Sequence, residues 1–145
     1  MLQEEGMRYR NSRKTLMKLK GGNSAQLICL LHGPGGSGKS TVINLVRAYA
    51  KEYCHLIGHP FTIRTLVITA MSGVAATLIH GETTHSAVGL NRPNLSQKFK
   101  DAWKDTRLFI CDECSFGSDK DFTKMEVNLT ACSGRTFDYL SLIHI

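Results

Sequence analysis

The stretch Gly33-Pro34-Gly35-Gly36-Ser37-Gly38-Lys39-Ser40 decides the fold of this chain. It matches the pattern G-x-x-x-x-G-K-[ST] of a phosphate-binding loop. The apolar run 27–31 stands directly before it and is typical of a buried parallel strand. Apolar residues then recur at helical spacing between residues 42 and 49. A strand, a glycine-rich loop and the start of a helix, in this order, predict an α/β fold whose loop binds a nucleoside triphosphate.

Each residue type in this loop suits it to gripping phosphate. Glycine allows backbone conformations that are closed to other residues, and it leaves space for a phosphate group. The loop N–H groups then face one concavity, and the N-terminus of the following helix adds partial positive charge. Lys39 is expected to reach the β- and γ-phosphates, and the Ser40 hydroxyl to ligate Mg²⁺. We predict nine nucleotide-binding residues: Gly33, Pro34, Gly35, Gly36, Ser37, Gly38, Lys39, Ser40 and Thr41.

The composition is that of an ordinary globular domain with a basic surplus. Of the 145 residues, 42% are hydrophobic and 21% are charged, which suits one domain with its own core. The formal charge of +6 favours a polyanionic partner. No apolar run reaches the roughly 18 residues of a membrane span, and residues 1–6 lack the apolar segment of a signal peptide. We therefore expect an intracellular protein.

The cysteines are expected to be reduced thiols. The chain contains five, an odd number, and two of them fall in predicted buried strands. Cys111 and Cys114 form a C-x-x-C pair, but no second pair stands at the spacing of a zinc finger. A zinc site is therefore not expected.

A second apolar run, residues 108–111, ends directly in Asp112-Glu113. An Asp at such a strand end holds the Mg²⁺ shell, and the following Glu orients and polarises the attacking water. Adjacent carboxylates are common at strand ends, but their position downstream of a phosphate loop makes coincidence improbable. Nucleotide kinases and many GTPases usually lack this glutamate. We predict Lys39, Asp112 and Glu113 as catalytic residues, with Ser40 and Asp112 as Mg²⁺ ligands.

Between these two motifs, a strand at residues 64–69 and a short helix after it are predicted. The strand residues are β-branched and apolar, as in a covered parallel strand. The small side chains of Ala75 and Ala76 allow the helix to approach the sheet closely. The first turn of this helix exposes N–H donors that suit a phosphate of a nucleic-acid backbone. An ordinary strand-helix-loop unit without a ligand explains the same residues, and from this segment alone we favour it.

Three stretches taken together resemble the PIF-one-like DNA helicases of superfamily one, a branch that includes the helicases of Helitron transposons. The stretches are residues 32–40, residues 69–86 and residues 110–115. The first and third are shared widely among P-loop ATPases. The middle one contains a T-A-x-[ST]-G-x-A-A core followed by G-x-T-x-H-S. It is similar to motif Ia of this family and carries most of the specificity.

The resemblance implies a RecA-like core, that is, a mostly parallel sheet flanked by helices. It also implies ATP and Mg²⁺ as cofactors, single-stranded DNA as partner, and 5′-to-3′ movement driven by ATP hydrolysis. Further expectations from the resemblance are a nuclear location and roles in DNA repair, recombination and telomere maintenance. Six residues are expected to lie along the single-stranded DNA: Thr69, Ala70, Ser72, Gly73, Thr84 and His85.

The resemblance covers only the first part of such a helicase. A glutamine motif, the later G-D-x-x-Q segment, the second RecA-like domain and its arginine are not recognisable. We predict a basic N-terminal segment (1–24), a single incomplete RecA-like ATPase domain (25–132) and a tail without family resemblance (133–145). Residues 8–20 carry six positive charges and no negative charge. A solvated face explains that run better than a phosphate contact.

Two alternatives to a helicase remain open. The first is a stand-alone Mg-nucleotide-binding module without turnover, because the missing arginine contributes about 10³–10⁵ to the rate of phosphoryl transfer. The second is another P-loop ATPase, or a kinase acting on a small phosphorylated substrate. Glu113 and residues 69–86 argue against the second. The oligomeric state is left open.

Overall fold

The computed structural model describes residues 28–133 and 141–144, which form a five-stranded sheet covered by helices. The strands are β1 (Ile28–Leu30), β2 (Leu66–Ala70), β3 (Glu82–Thr83), β4 (Leu108–Asp112) and β5 (Ser141–His144). The helices are α1 (Lys39–Leu56), α2 (Gly73–Leu78), α3 (Thr84–Ala87), α4 (Gln97–Asp101) and α5 (Asp119–Ser133), with a 3₁₀ turn at Cys114–Phe116. The predicted basic segment 1–24 lies outside the described residues.

All neighbouring strands of this sheet are parallel, and their order is β1-β5-β4-β2-β3. The register pairs Ala70 with Asp112, and both Leu30 and Cys111 with His144. The carboxyl ends of β1, β2 and β4 therefore meet at one edge of the sheet. In open α/β sheets this edge is where ligands bind. The predicted α/β class, with a parallel sheet flanked by helices, is confirmed.

The core lies on both faces of the two strands β2 and β4. Successive strand side chains point to opposite faces, so Ile110 packs toward Ile43 of α1 while Phe109 packs toward Met125 of α5. The indole of Trp103 also covers this second face, with its ring centroid 5.8 Å from that of Phe109. Each large apolar side chain buried in this way contributes about 1.5–3 kcal/mol. Burial on both faces explains why these strands are apolar throughout.

Strand β5 was not predicted from the sequence. It belongs to the segment 133–145, which was interpreted as a tail without family resemblance, yet it lies between β1 and β4 in the sheet. Its register places Ile143 between Cys29 and Ile110. Both partners are distant in the sequence, and four residues of which only Leu142 and Ile143 are apolar carry too little pattern to identify a strand. The predicted domain boundaries at residues 24 and 132 stay predictions.

Smaller differences concern the segment after α2. The strand-helix-loop interpretation of the sequence makes it a loop, but it contains the two-residue strand β3 and the short helix α3. The Thr83 hydroxyl accepts a hydrogen bond from the Ser86 N–H and so caps α3. Within residues 28–133, no helix combines the length and apolar character that crossing a membrane requires.

Candidate functional site

The phosphate-binding loop joins β1 to α1, as the sequence predicts. Gly36 and Gly38 have φ angles of 74° and 86°, in the left-handed region, where a side chain would be strained. Gly38 is also the N-cap of α1. The Gly38 carbonyl accepts the Val42 N–H at 3.2 Å, which starts the helix directly after the loop. The loop N–H groups and the positive end of an 18-residue helix therefore share one edge.

Lys39 spans the mouth of this loop. Its ammonium group donates to the Gly33 carbonyl at 2.8 Å and to the Pro34 carbonyl at 3.0 Å. Both acceptors are neutral, whereas hydrogen bonds to charged acceptors such as phosphate are about twice as strong. Lys39 is thus held where an anion entering the loop can replace the two carbonyls as its partner.

A cavity of about 760 Å³ brings the loop and the Asp-Glu pair together. Its volume lies within the usual range for small-molecule sites, about 300–1,000 Å³. Of the nine predicted nucleotide-binding residues, six line the cavity: Gly33, Gly36, Ser37, Gly38, Lys39 and Ser40. Pro34, Gly35 and Thr41 do not line it. Asp112 and Glu113 line it from the opposite strand, together with Ala75 and Leu78 of α2.

Asp112 stands at the end of β4, half-buried, with its carboxylate near the lysine. Burial raises the pKa of the Asp112 carboxyl, and this effect outweighs the Glu113 N–H and the charge of Lys39, which lower it. The Glu113 N–H donates to Asp112 Oδ1 at 2.9 Å. A carboxylate that is partly removed from water and lacks a full counter-charge is stabilised when a cation binds to it.

The residues present fit Mg²⁺. This ion prefers oxygen ligands and is usually held by one or two carboxylates together with substrate phosphates and water. The Ser40 hydroxyl and the Asp112 carboxylate line the same cavity. Among the residues that the structure describes, no group of three or more His, Cys, Asp and Glu side chains could hold a metal by itself. The phosphates of a bound nucleotide would therefore complete the shell.

Glu113 is contacted by a residue that the sequence placed elsewhere. The Ser72 hydroxyl, predicted to meet DNA, donates to Glu113 Oε2 at 2.8 Å. The Ser72 Oγ also accepts a hydrogen bond from the Ala75 N–H at 3.2 Å and so caps α2. Glu113 has a φ of 53°, unusual for a residue with a side chain. The pairing follows from the β2–β4 register, which no local sequence signal reveals.

Three of the six predicted DNA contacts lie in the core. Thr69, Ala70 and Thr84 have no exposed surface. The Thr84 hydroxyl donates to Thr69 Oγ1 at 3.0 Å, and the Thr69 hydroxyl donates to the Ile110 carbonyl at 2.9 Å. This differs from the expectation that the three residues lie along DNA, because all three are buried and the two threonine hydroxyls are hydrogen-bonded inside the protein.

The other three predicted contacts remain accessible. Gly73 is exposed, and Ser72 and His85 are half-buried. His85 Nε2 lies 3.7 Å from Asp121 Oδ1, and its side chain is 36% exposed. These residues stand at the start of α2 and in α3, on the carboxyl-end side of β2 and β3.

The chain is similar in sequence to known proteins. A family described as "AAA domain" matches residues 19–135. The chain is 31% identical to "Uncharacterized protein 030L" of Invertebrate iridescent virus 6, over 64% of this chain and 19% of that protein.

Solved structures of Pif1 helicases share the fold. The enzyme from Candida albicans superposes with a TM-score of 0.68 at 20% identity, over 94% of this chain and 31% of that one. Bacteroides Pif1 bound to ssDNA superposes with a TM-score of 0.62 at 18% identity, over 92% of this chain and 30% of that one. Pif1 helicase from Bacteroides in complex with ADP-AlF3 and ssDNA superposes with a TM-score of 0.63 at 20% identity, over 92% of this chain and 30% of that one. This chain thus spans about a third or less of each relative's length. The resemblance to PIF-one-like helicases is confirmed at the level of the fold, and the chain belongs to the AAA domain family.

Proposed function

We propose that this chain is the ATP-binding part of a DNA helicase, in which ATP hydrolysis drives 5′-to-3′ movement along single-stranded DNA. One observation carries the proposal. The phosphate loop and the Asp112-Glu113 pair line one cavity, and Glu113 is hydrogen-bonded to Ser72 at the start of α2. Unwinding itself is proposed for a protein longer than this chain, because the chain spans about a third of the helicases it resembles in fold.

The loop residues bind and orient the triphosphate. Backbone N–H groups of the loop and of the first turn of α1 donate to phosphate oxygens. Lys39 exchanges its two neutral carbonyl acceptors for charged phosphate oxygens. Ser40 and Asp112 would hold Mg²⁺, which when bound would neutralise the charge that develops on the phosphates.

Glu113 orients the attacking water. A carboxylate can accept about four hydrogen bonds, so the bond from Ser72 leaves acceptor capacity for a water molecule. The Glu113 backbone N–H donates to Asp112 Oδ1 and holds the Asp112 side chain at the end of β4, beside Glu113. Such positioning is the main contribution of a protein to phosphoryl transfer.

Single-stranded DNA is proposed to run over the start of α2 and α3. Ser72, Gly73 and His85 are the predicted contacts that remain accessible. The formal charge of +6 supports a polyanionic partner, and a structure of similar fold is "bound to ssDNA". Contacts of this kind go to the sugar-phosphate backbone and carry no sequence information.

The test is ATP hydrolysis by the purified protein with and without oligo(dT). Lys39→Ala and Glu113→Gln should each lower the rate at least 100-fold, because they remove phosphate binding and water orientation. Lys51→Ala and Glu126→Gln are matched controls at exposed positions and should leave the rate unchanged. A rate that oligo(dT) does not alter, and that survives Glu113→Gln, would show that the helicase proposal is wrong.

A nucleotide-binding module without turnover is the second candidate. Lys39 is the only Lys or Arg lining the cavity in the part of the chain that the structure describes. Phosphoryl transfer that lacks an additional arginine is slower by about 10³–10⁵. Fluorescent ATP that binds the 145-residue chain in a Lys39-dependent manner, without any hydrolysis, would favour this candidate.

A further inference from the structure

Two cysteines stand on either side of the Asp112-Glu113 pair. Cys111 is the last buried residue of β4, and Cys114 is the first residue of the 3₁₀ turn that follows. Both are free thiols, and Cys114 is half-buried whereas Cys111 has no exposed surface. The proposed hydrolysis uses neither thiol, so their presence on both sides of the carboxylates calls for an explanation of its own.

The side chains of the two cysteines meet in one apolar cluster. Cys111 belongs to the cluster that contains Phe109 and Met125, and Cys114 packs against the same cluster as a partly buried neighbour. The two thiols are close enough to interact electrostatically. Each sulfur therefore faces the side of the sheet that α5 covers.

The backbone between the cysteines turns in a way that suits a disulfide. Asp112 is the extended end of β4, and Glu113 is left-handed, with φ 53° and ψ 37°. An extended residue followed by a left-handed one resembles a type II turn, whose first and last Cα atoms lie less than about 7 Å apart. Cysteines joined by a disulfide have Cα atoms about 4.4–6.8 Å apart. The chain thus brings Cys111 and Cys114 near bonding range.

We propose that Cys111 and Cys114 form an oxidative modification site, at which hydrogen peroxide converts the two thiols into a reversible disulfide around Asp112 and Glu113. The Cys114 sulfur attacks one peroxide oxygen, the O–O bond breaks, and the thiol proton leaves with the hydroxide as water. The Cys111 sulfur then attacks the resulting sulfenic acid, so that an S–S bond forms, the S–O bond breaks and a second water leaves. A small dithiol reverses the reaction by exchange.

Exposure decides which thiol reacts first. Cys114 lines the nucleotide cavity beside Lys39 and Ser40, so a molecule as small as hydrogen peroxide reaches it from solvent. Cys111 is buried, and its sulfur lies 3.5 Å from the Thr84 hydroxyl inside the core. An accessible cysteine poised next to a second, resolving cysteine is typical of redox-sensing sites.

The disulfide would enclose both carboxylates in a short covalent ring. Bonded sulfur atoms lie about 2 Å apart, so Cys114 and the 3₁₀ turn have to move toward β4. Glu113 lies inside the moving segment, and its 2.8 Å hydrogen bond from Ser72 fixes only one of its oxygens. A misplacement of about 1 Å can lower a catalytic rate by about 100-fold. This effect on hydrolysis rests on the proposed function, whereas the disulfide itself does not.

Trypsin places the two cysteines in one peptide, which makes the disulfide directly measurable. Cleavage after Arg107 and Lys120 yields residues 108–120, which contain Cys111 and Cys114 and neither another cysteine nor a methionine. The full protein is treated with hydrogen peroxide, alkylated with N-ethylmaleimide under denaturing conditions, digested and weighed. The peptide should carry no maleimide and should have lost two hydrogens. After dithiothreitol it should carry two maleimides.

Two variants and one internal control sharpen this measurement. Cys114→Ser leaves Cys111 without a partner, so its peptide 108–120 should carry one maleimide after peroxide. Cys29→Ser is the matched control, because it removes an exposed cysteine outside the pair and should leave the disulfide intact. Cys132 belongs to the same cluster but is buried, so its peptide should still take maleimide. A peptide 108–120 that keeps two maleimides, gains oxygen without losing hydrogens, or is linked to the Cys132 peptide would overturn the proposal.

Hydrolysis of Mg-ATP provides the second readout, taken as the ratio of rates before and after peroxide. The rate should fall at least about tenfold in the unsubstituted and Cys29→Ser proteins and return with dithiothreitol. In Cys114→Ser the ratio should stay near one. If the protein hydrolyses no ATP at all, the proposed function fails, while the mass of peptide 108–120 still decides the disulfide. If the disulfide forms and the rate is unchanged, the modification site stands and its control of hydrolysis is overturned.

Discussion

The two buried threonines offer the sharpest test of the structure, because their hydroxyl groups form a directional chain. Thr84 donates to Thr69, and Thr69 donates to the Ile110 carbonyl. Thr69→Val removes both bonds and leaves the Thr84 hydroxyl buried beside only the weakly accepting Cys111 sulfur at 3.5 Å. Thr84→Val removes one bond, and the Thr69 hydroxyl keeps its carbonyl acceptor.

The expected free energies of unfolding are therefore unequal. Thr84→Val should lower stability by about 1 kcal/mol, the net value of one hydrogen bond. Thr69→Val should lower it by about 2–4 kcal/mol, because an unpaired buried donor adds roughly 1–3 kcal/mol. In the double variant no donor is left unpaired, so it should be no less stable than Thr69→Val alone.

Urea unfolding followed by circular dichroism measures these values, with the midpoint compared at constant slope. Equal and additive effects of the two substitutions would contradict the hydrogen-bond chain. Oligo(dT) affinity provides the companion measurement, and it should change less than twofold in Thr84→Val. A loss of DNA affinity above tenfold, at unchanged stability, would mean that Thr84 contacts DNA despite its burial.

Three further predictions concern the buried core, the end of α2 and the Asp112 carboxyl. Phe109→Ala should lower the free energy of unfolding by about 3–5 kcal/mol, because a fully buried ring is lost. Val127→Ala, at a 61% exposed position, should change it by no more than about 0.5 kcal/mol. The midpoints of urea unfolding test both values. Arg47→Met should cost about 1–2 kcal/mol, since the guanidinium donates to the Ile79 carbonyl at 2.6 Å beyond the end of α2; a melting temperature equal to that of the unsubstituted chain would refute this. Burial raises the pKa of the Asp112 carboxyl, so stability without nucleotide should fall as pH rises above the usual Asp value of about 4. Asp112→Asn should then have a higher melting temperature than the unsubstituted chain at pH 7 and the same one at pH 3. Mg-ATP should stabilise the variant less than the unsubstituted chain. A lower melting temperature of the variant at pH 7 would contradict the expected effect of Asp112 ionisation on stability.

The sequence predicted those features whose information is local. The phosphate loop needs a strand, four glycines and a helix start within a few residues, and the structure contains this arrangement. Asp112 and Glu113 follow an apolar run that is β4, and their position beside the loop follows from the parallel topology. The middle motif indicated the fold of the Pif1 helicases, which the comparison confirmed.

The features that escaped prediction depend on pairing between distant segments. A threonine that bonds inside the core and one that faces solvent look alike in a sequence, so the burial of Thr69 and Thr84 was not foreseeable. The contact between Ser72 and Glu113 requires the register of β2 against β4. Strand β5 is short and only half apolar, and its identity depends on two partners far away in the chain.

The position of β5 also sets the order in which a nascent chain can complete its candidate nucleotide site. Strand β1, which carries the phosphate loop, pairs with β5 alone among the described strands. Inserting β5 separates β1 from β4 by two strand spacings, roughly 10 Å, so the loop and the carboxylates face each other across the cavity. On the ribosome, residues 28–133 emerge before the strand that holds the two halves of the site apart. A stalled chain that ends at residue 133 should therefore not capture nucleotide, although it contains both motifs.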